Sequence, residues 1–257
     1  MARFIFLALL VCSCARTITE ADKQNARIHH DIAISNLERG DTRGALRELQ
    51  SAEKNDPKQP ETQHVLGLVY QRMGRYKEAL LHYEQAVSLR PNYSEAYNNL
   101  GTLYLELGRL DEAISSFEKA LSDILYATPS LALGNMGFAY YKKGELELAE
   151  KHLLNAVTED PKFCRGYEWL VLLSEERNQF SDIELYCQRF FKHCKDDPVI
   201  AATIPPDYVR QMYYFLAMAY VRQGQREKAK ATLKQCAVDD ADAVYGMKCQ
   251  QALRRLP

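Results

Sequence analysis

The chain has 257 residues, 47% hydrophobic and 26% charged, with a formal net charge of −1. That composition suits a globular protein with a sizeable core. Acids and bases are interspersed with no basic face or tail, which excludes a binder of nucleic-acid backbones. No apolar run approaches the roughly 20 residues that a membrane-spanning helix needs.

The first element is a leader. Arg3 precedes the unbroken apolar run Phe4 to Val11, the length of a secretory hydrophobic region. Val11-Cys12-Ser13-Cys14 follows, with a small residue before the second cysteine. This stretch resembles the lipobox of bacterial lipoproteins, with Cys14 as the lipid acceptor. The resemblance implies a signal peptide over 1–13 and a lipidated tether over 14–25. Ala15, rather than Asp, follows the acceptor, which implies sorting to the outer membrane. The chain would then be lipid-anchored on its periplasmic face.

A repeat comes next. "HVLGLVYQRMGRYKEALLHYEQAVSLRP" (64–91) aligns without a gap on "NNLGTLYLELGRLDEAISSFEKAL" (98–121), at a period of 34. Leu66, Gly67, Tyr70, Gly74, Ala79, Tyr83, Ala86 and Pro91 mark one copy. Leu100, Gly101, Tyr104, Gly108, Ala113, Phe117 and Ala120 mark the next. This pattern resembles the tetratricopeptide repeat, a helix–turn–helix unit of that length. In chain order the repeats run 26–59, 60–93, 94–127 and 130–163, then a degenerate copy at 164–197 and a sixth at 210–243. Residues 198–209, with the three prolines of "DDPVIAATIPPDY", read as an inserted loop. Residues 244–257 read as a capping helix whose Lys248, Gln250, Gln251, Arg254 and Arg255 face water. The expected fold is all-α: a right-handed tetratricopeptide-repeat superhelix of about six helix–turn–helix units plus the cap.

Within a unit each pattern residue has a job. Small residues in mid-helix let two backbones approach, and large ones fill the space beside them. The mid-repeat Gly ends the first helix in a left-handed conformation, and the Pro limits the second.

Chemistry is hard to find. There is no phosphate-cradling glycine loop, no nucleophile elbow and no HExxH helix. Adjacent His29 and His30 point to different sides of a helix. His64, His82 and His152 are expected at surface or groove positions. Cys164, Cys187, His193 and Cys194 fall in the degenerate repeat without the CxxC spacing of a zinc site. The chain reads as a non-enzyme with no cofactor, metal or small-molecule substrate.

In an oxidising compartment the cysteines can pair. The helices of one repeat run antiparallel, so Cys164 at the start of the fifth faces Cys194 at its end. Cys236 on the last repeat faces Cys249 on the cap. Cys187 is left as a buried free thiol.

The inner sides of the first helices offer Ile34, His64, Leu68, Gln71, Arg72, Asn98, Thr102, Leu105, Phe138 and Tyr141 as a partner-binding groove. Its apolar seam is Ile34, Leu68, Leu105, Phe138 and Tyr141. The alternative for these residues is packing against neighbouring helices. The basic residues of this face are too few and in the wrong places to form the carboxylate grip of the chaperone-binding members of this family.

Between the third and fourth repeats the register gains two residues, within "SDILYATPSLALGNMGFAYYKKG" (122–144). Leu125, Tyr126, Thr128, Pro129, Ala132, Asn135, Gly137, Ala139, Lys142, Lys143 and Gly144 carry a junction that, with the lipobox, resembles the pilotin lipoproteins of the type IV pilus secretin. That resemblance implies a non-catalytic assembly factor. It would bind secretin subunits and promote their outer-membrane assembly in pilus biogenesis and in twitching or social motility. A general periplasmic scaffold lipoprotein in cell-envelope assembly is the alternative, and a metal- or thiol-dependent protein built on the degenerate repeat is a third.

Overall fold

A computed structural model describes residues 17–238 and 242–256, and the regular structure among them is entirely helical. The chain forms two compact units, Met1–Arg90 and Pro91–Pro257. The first holds two helical hairpins, α1 (Glu20–Glu38) with α2 (Thr42–Asn55) and α3 (Pro60–Arg72) with α4 (Tyr76–Leu89). The second holds α5 (Ser94–Glu106), α6 (Leu110–Leu121), α7 (Pro129–Lys143), α8 (Leu146–Glu159), α9 (Cys164–Glu176) and α10 (Phe180–Phe190). It continues through a π-helical turn, Phe191–Lys195, then α11 (Pro198–Ala201), α12 (Pro206–Arg222), α13 (Arg226–Cys236) and α14 (Val244–Arg255).

The rule inside each hairpin is one of size. Gly67 of α3 sits so close to Tyr83 of α4 that an added Cβ would lie 2.5 Å from the ring. Gly101 meets Phe117 at 2.6 Å, and Gly137 meets Leu153 at 2.8 Å. The sixth repeat uses Ala217 and Leu233 at the same register, both fully buried. The fifth inverts the pair: Val171 stands where the others have Gly or Ala, and Cys187 where they have Tyr, Phe or Leu. It inverts a second pair too, with Ser174 for the tyrosine of the first helix and Ile183 for the alanine of the second. All four are buried. Volume is conserved across the interface while the consensus is lost, as close packing requires.

Turn chemistry follows the same logic. Gly40, Gly74, Gly108, Gly144 and Gly224 all adopt φ between 71° and 78° at the hairpin turns. The fifth repeat uses Asn178 there, at φ 57°, and asparagine tolerates this region better than other side chains.

Two boundaries differ from the sequence reading. Residues 20–25, expected in the tether, already belong to α1. Thr19 caps it: its hydroxyl accepts from the Asp22 N–H at 3.1 Å, and the Asp22 carboxylate accepts from the Thr19 N–H at 2.9 Å. This reciprocal capping box starts the helix before the repeat consensus begins. The expected loop 198–209 contains the single turn α11, whose first N–H groups Asp197 accepts at 3.0 and 3.1 Å. It also contains the start of α12, because Pro206 is preorganised for a first helical position.

α14 packs on both α12 and α13. The Asp207 carboxylate accepts the N–H groups of Tyr245 and Gly246 at 3.2–3.3 Å, so a side chain of α12 caps the N-terminus of α14.

Gly101→Ala is expected to cost about 1–3 kcal/mol by driving a methyl group into the Phe117 ring. Adding Phe117→Leu recreates the alanine–leucine pairing of the sixth repeat and should recover part of that loss. Urea unfolding followed by Trp169 fluorescence measures both; a double variant no more stable than Gly101→Ala would contradict the size rule.

Candidate partner-binding surfaces

In the first unit the groove candidates have unequal roles. His64 is buried, with its ring 6.0 Å from that of Tyr83. Burial, aided by neighbouring His30, pushes its pKa down to about 4. His82 is buried as well, stacked on Tyr70 at 5.1 Å with its Nδ1 2.7 Å from Gln63 Oε1. Gln63 Nε2 in turn donates to Glu53 at 3.1 Å and to the Pro57 carbonyl at 3.2 Å. Both histidines are buried rather than at the expected surface positions, and His82, through Gln63, helps tie the second repeat to the first. Gln71 accepts from the Tyr83 hydroxyl at 2.8 Å. Ile34 and Leu68 are half-buried, and Arg72 is exposed. They are the residues of the set with surface to offer.

The second unit shows the same division. Asn135 Nδ2 of α7 donates to Asn98 Oδ1 at 3.4 Å and to the Thr102 hydroxyl at 3.3 Å, and Thr102 donates to the Asn98 carbonyl at 3.0 Å. Asn98 and Thr102 thus join α5 to α7. Leu105 is half-buried. Phe138 stacks on Trp169 at 4.7 Å and on Tyr141 at 6.2 Å, under the Lys142 ammonium at 5.2 Å. It is half core and half surface.

Most junction residues have structural work. Tyr126, Ala132, Gly137 and Ala139 are buried, and Pro129 opens α7. Lys143 reaches Asp111 and Glu145, each at 2.8 Å. Leu125 does not fit this description. It is 84% exposed and follows Ile124, which is 95% exposed. The groove reading missed this pair, although two aliphatic residues outside either helical period were the available signal.

The cysteines of the second unit are placed definitely. Cys164 is bonded to Cys194, and Cys236 to Cys249, each with Cα atoms 5.9 Å apart. Cys194 lies in the π-helical turn, where one extra residue per turn re-aims the side chain. Cys187 is free and buried. Its thiol donates to the Met212 carbonyl at 3.4 Å, and burial pushes its pKa far up, which leaves it inert. His193 stacks on Tyr167 at 6.5 Å, and half-buried His152 on Tyr140 at 5.4 Å. Cys14 lies outside the described residues.

The tetratricopeptide-repeat family model matches residues 59–123, and a second model of the same repeat matches 131–163 and 211–237. Among curated proteins no sequence matches this chain. The crystal structure of PilW, described as a widely conserved type IV pilus biogenesis factor, is similar at 25% identity and TM-score 0.74, over 90% of this chain and 99% of that one. PilF of Pseudomonas aeruginosa is similar in fold at 16% identity and TM-score 0.74, over 91% and 99%. MamA is similar at 25% identity and TM-score 0.56, over 63% and 94%.

Two measurements test these placements. Replacing both cysteines of the 164–194 bridge by alanine should lower stability by about 3–4 kcal/mol on a loop-entropy basis, and the shorter 236–249 bridge should be worth about 3. Peptide mapping of unreduced protein should recover both linkages with Cys187 alkylatable only after unfolding. The second measurement follows the pH. His64 is held neutral in the folded state, while the unfolded chain takes up a proton near pH 6.5. Stability should therefore fall as pH drops from about 6.5 to about 4, by on the order of 2–3 kcal/mol from this residue. His64→Gln should flatten that slope in circular-dichroism melts; an unchanged slope would show that His64 titrates normally.

Proposed function

Because the chain is a tetratricopeptide-repeat protein, PilW- and PilF-like in fold, we propose that it is a pilotin lipoprotein of the type IV pilus. Held by a lipidated Cys14 at the periplasmic face of the outer membrane, it binds secretin subunits and promotes their assembly there. The observation that supports this reading best is the extent of the likeness to PilW. It runs over 90% of this chain and 99% of that one, far more of the chain than the matched repeats alone. A generic scaffold is favoured less, since the MamA likeness stops at 63% of this chain with a lower TM-score.

The repeats serve such a role without a chemical step. Helical hairpins stacked on one another present fixed side chains at low entropic cost to a partner. Among the apolar residues with surface, Leu68 of the first unit and, taken by itself, the set Leu105, Ile124 and Leu125 of the second are the contacts proposed for secretin. A triacylated cysteine adds about 0.8 kcal/mol per buried CH₂, so the anchor would not release.

Two variants separate binding from anchoring. Leu68→Asp combined with Leu125→Ser should abolish co-purification of the secretin from membranes while the melting temperature stays within a few degrees. Cys14→Ala should keep secretin binding but lose outer-membrane fractionation, and with it the secretin multimers. A Cys14→Ala protein that still fractionates with the outer membrane and fully supports multimer formation would sink the anchor. Secretin recovered equally well with wild type and the double variant would sink the contact assignment.

A further inference from the structure

The cap leaves an opening that the repeats do not use. Between α12 and α14 lies a cavity of about 340 Å³ walled by Tyr214, Met218, Val221, Ala252 and Leu256. Its charged rim residues are Lys248 and Arg255, both cations. A second cavity of about 280 Å³ shares Tyr214 and Met218 as a common wall and is floored by Phe180, Ile183 and Phe215. Along α12, Tyr214, Met218 and Val221 form one stripe at helical spacing, and Phe215, Ala219 and Arg222 form the stripe beside it.

Charge on this groove is one-sided. α14 contains no acid at all. The Lys248 ammonium sits over the Tyr245 ring at 4.4 Å and the Tyr214 ring at 5.9 Å, so it is held by aromatic faces and keeps its charge available. The second cavity carries Glu175 and Arg222. Burial raises the Glu175 pKa and the Arg222 charge opposes that rise, so those two offset one another and the surplus at Lys248 and Arg255 remains. Asp207, the one acid of α12, is engaged with the α14 backbone. The Cys236–Cys249 bond fixes α14 to α13, so the groove is preorganised.

We propose that this double groove docks a peptide segment of a partner protein, which sets two bulky apolar side chains into the two cavities and acidic side chains against Lys248 and Arg255. Two cavities divided by a Tyr214–Met218 wall match side chains on successive turns of a short helix. An acyl chain would call for one continuous channel. The site is separate from the surfaces proposed above for the secretin, and it stands whether or not that partner is correct.

The test titrates the full chain by calorimetry with three synthetic peptides. One is acetyl-SDLAEDFLAS-amide, one has its acids changed to the amides Asn and Gln, and one has its Leu and Phe changed to Ala. The acidic apolar peptide should bind, and both controls should bind at least about tenfold more weakly. Lys248→Glu combined with Arg255→Glu should impose a similar loss while melting like wild type, because both side chains are exposed. Leu68→Asp should bind the peptide as wild type does. As a second readout, the Met218 methyl resonance should shift on addition of the acidic peptide only. Equal binding of the acidic and amide peptides, undiminished binding by the charge-reversed chain, or no binding up to about 1 mM overturns the proposal. So does Lys248- and Arg255-dependent binding to phosphatidylglycerol vesicles in place of the peptide, which would make the groove a lipid site.

Discussion

Everything in this structure depends on how closely the two helices of one repeat can approach. Helix axes come together only where one side chain is nearly absent, and the space beyond must then be filled from the other side. Gly67 with Tyr83, Gly101 with Phe117 and Gly137 with Leu153 are three copies of that solution. The constraint acts on the sum of two volumes. It does not fix which helix supplies the bulk. That is why the fifth repeat can place Val171 against Cys187 and Ser174 against Ile183 and remain a hairpin. Judged residue by residue it looks degenerate, and judged pair by pair it obeys the rule.

The inverted repeat still loses something. Cys187 puts less bulk on the second helix than the Tyr, Phe or Leu of the other repeats. The second unit compensates around this repeat with covalent and ionic ties. The Cys164–Cys194 bond closes the hairpin across its ends. Arg177 bonds back to Glu147 and Glu150 of α8 at 2.8 and 2.6 Å. Tyr208 donates from α12 to the Cys164 carbonyl at 3.2 Å. Of these the disulfide should matter most, since ion pairs at a surface contribute little and a closed loop of this length restrains the unfolded chain strongly. Cys187, buried against the Met212 carbonyl, is then a packing residue whose sulfur stays out of the chemistry of its neighbours.

What could be read from the sequence was whatever repeats. A period of 34 located the hairpins, and the mid-repeat glycines located their left-handed turns, because only a few residue types tolerate that backbone. Antiparallel hairpin geometry placed Cys164 near Cys194 and Cys236 near Cys249. What could not be read was local and unrepeated. Thr19 and Asp22 start α1 early through a two-residue cap that no neighbouring repeat shares. Asn178 took the place of a glycine. The π-helical turn that aims Cys194 arises from one extra residue with no signature of its own. The roles of His64 and His82 were misjudged for a different reason: period alone says which face a residue is on, while burial between two layers depends on the next hairpin. The groove set was legible as positions only. Asn98, Thr102 and Gln71, read as groove residues, are engaged in holding helices together.

That division bears on how such a chain can be specific. Pattern residues are shared by every repeat protein of this kind, so they cannot distinguish one partner from another. Polar residues that join repeat to repeat are committed to the fold. Specificity must then reside in what remains: apolar side chains with surface, and the departures from the repeat. In the second unit those departures are the Ile124–Leu125 loop, where the register gains two residues, and the cap, where α14 lies over α12 without sealing it. Both expose apolar surface, and they differ in charge. Asp123 accepts from the Leu125 N–H at 2.9 Å beside the loop, whereas the cap groove is rimmed by Lys248 and Arg255. Two apolar sites with opposite local charge select different segments, since the wrong pairing places like charges together and leaves them poorly solvated. A single chain can in this way hold two unlike segments at a fixed spacing on one helical unit, and that is a physical basis on which a repeat protein can order its partners.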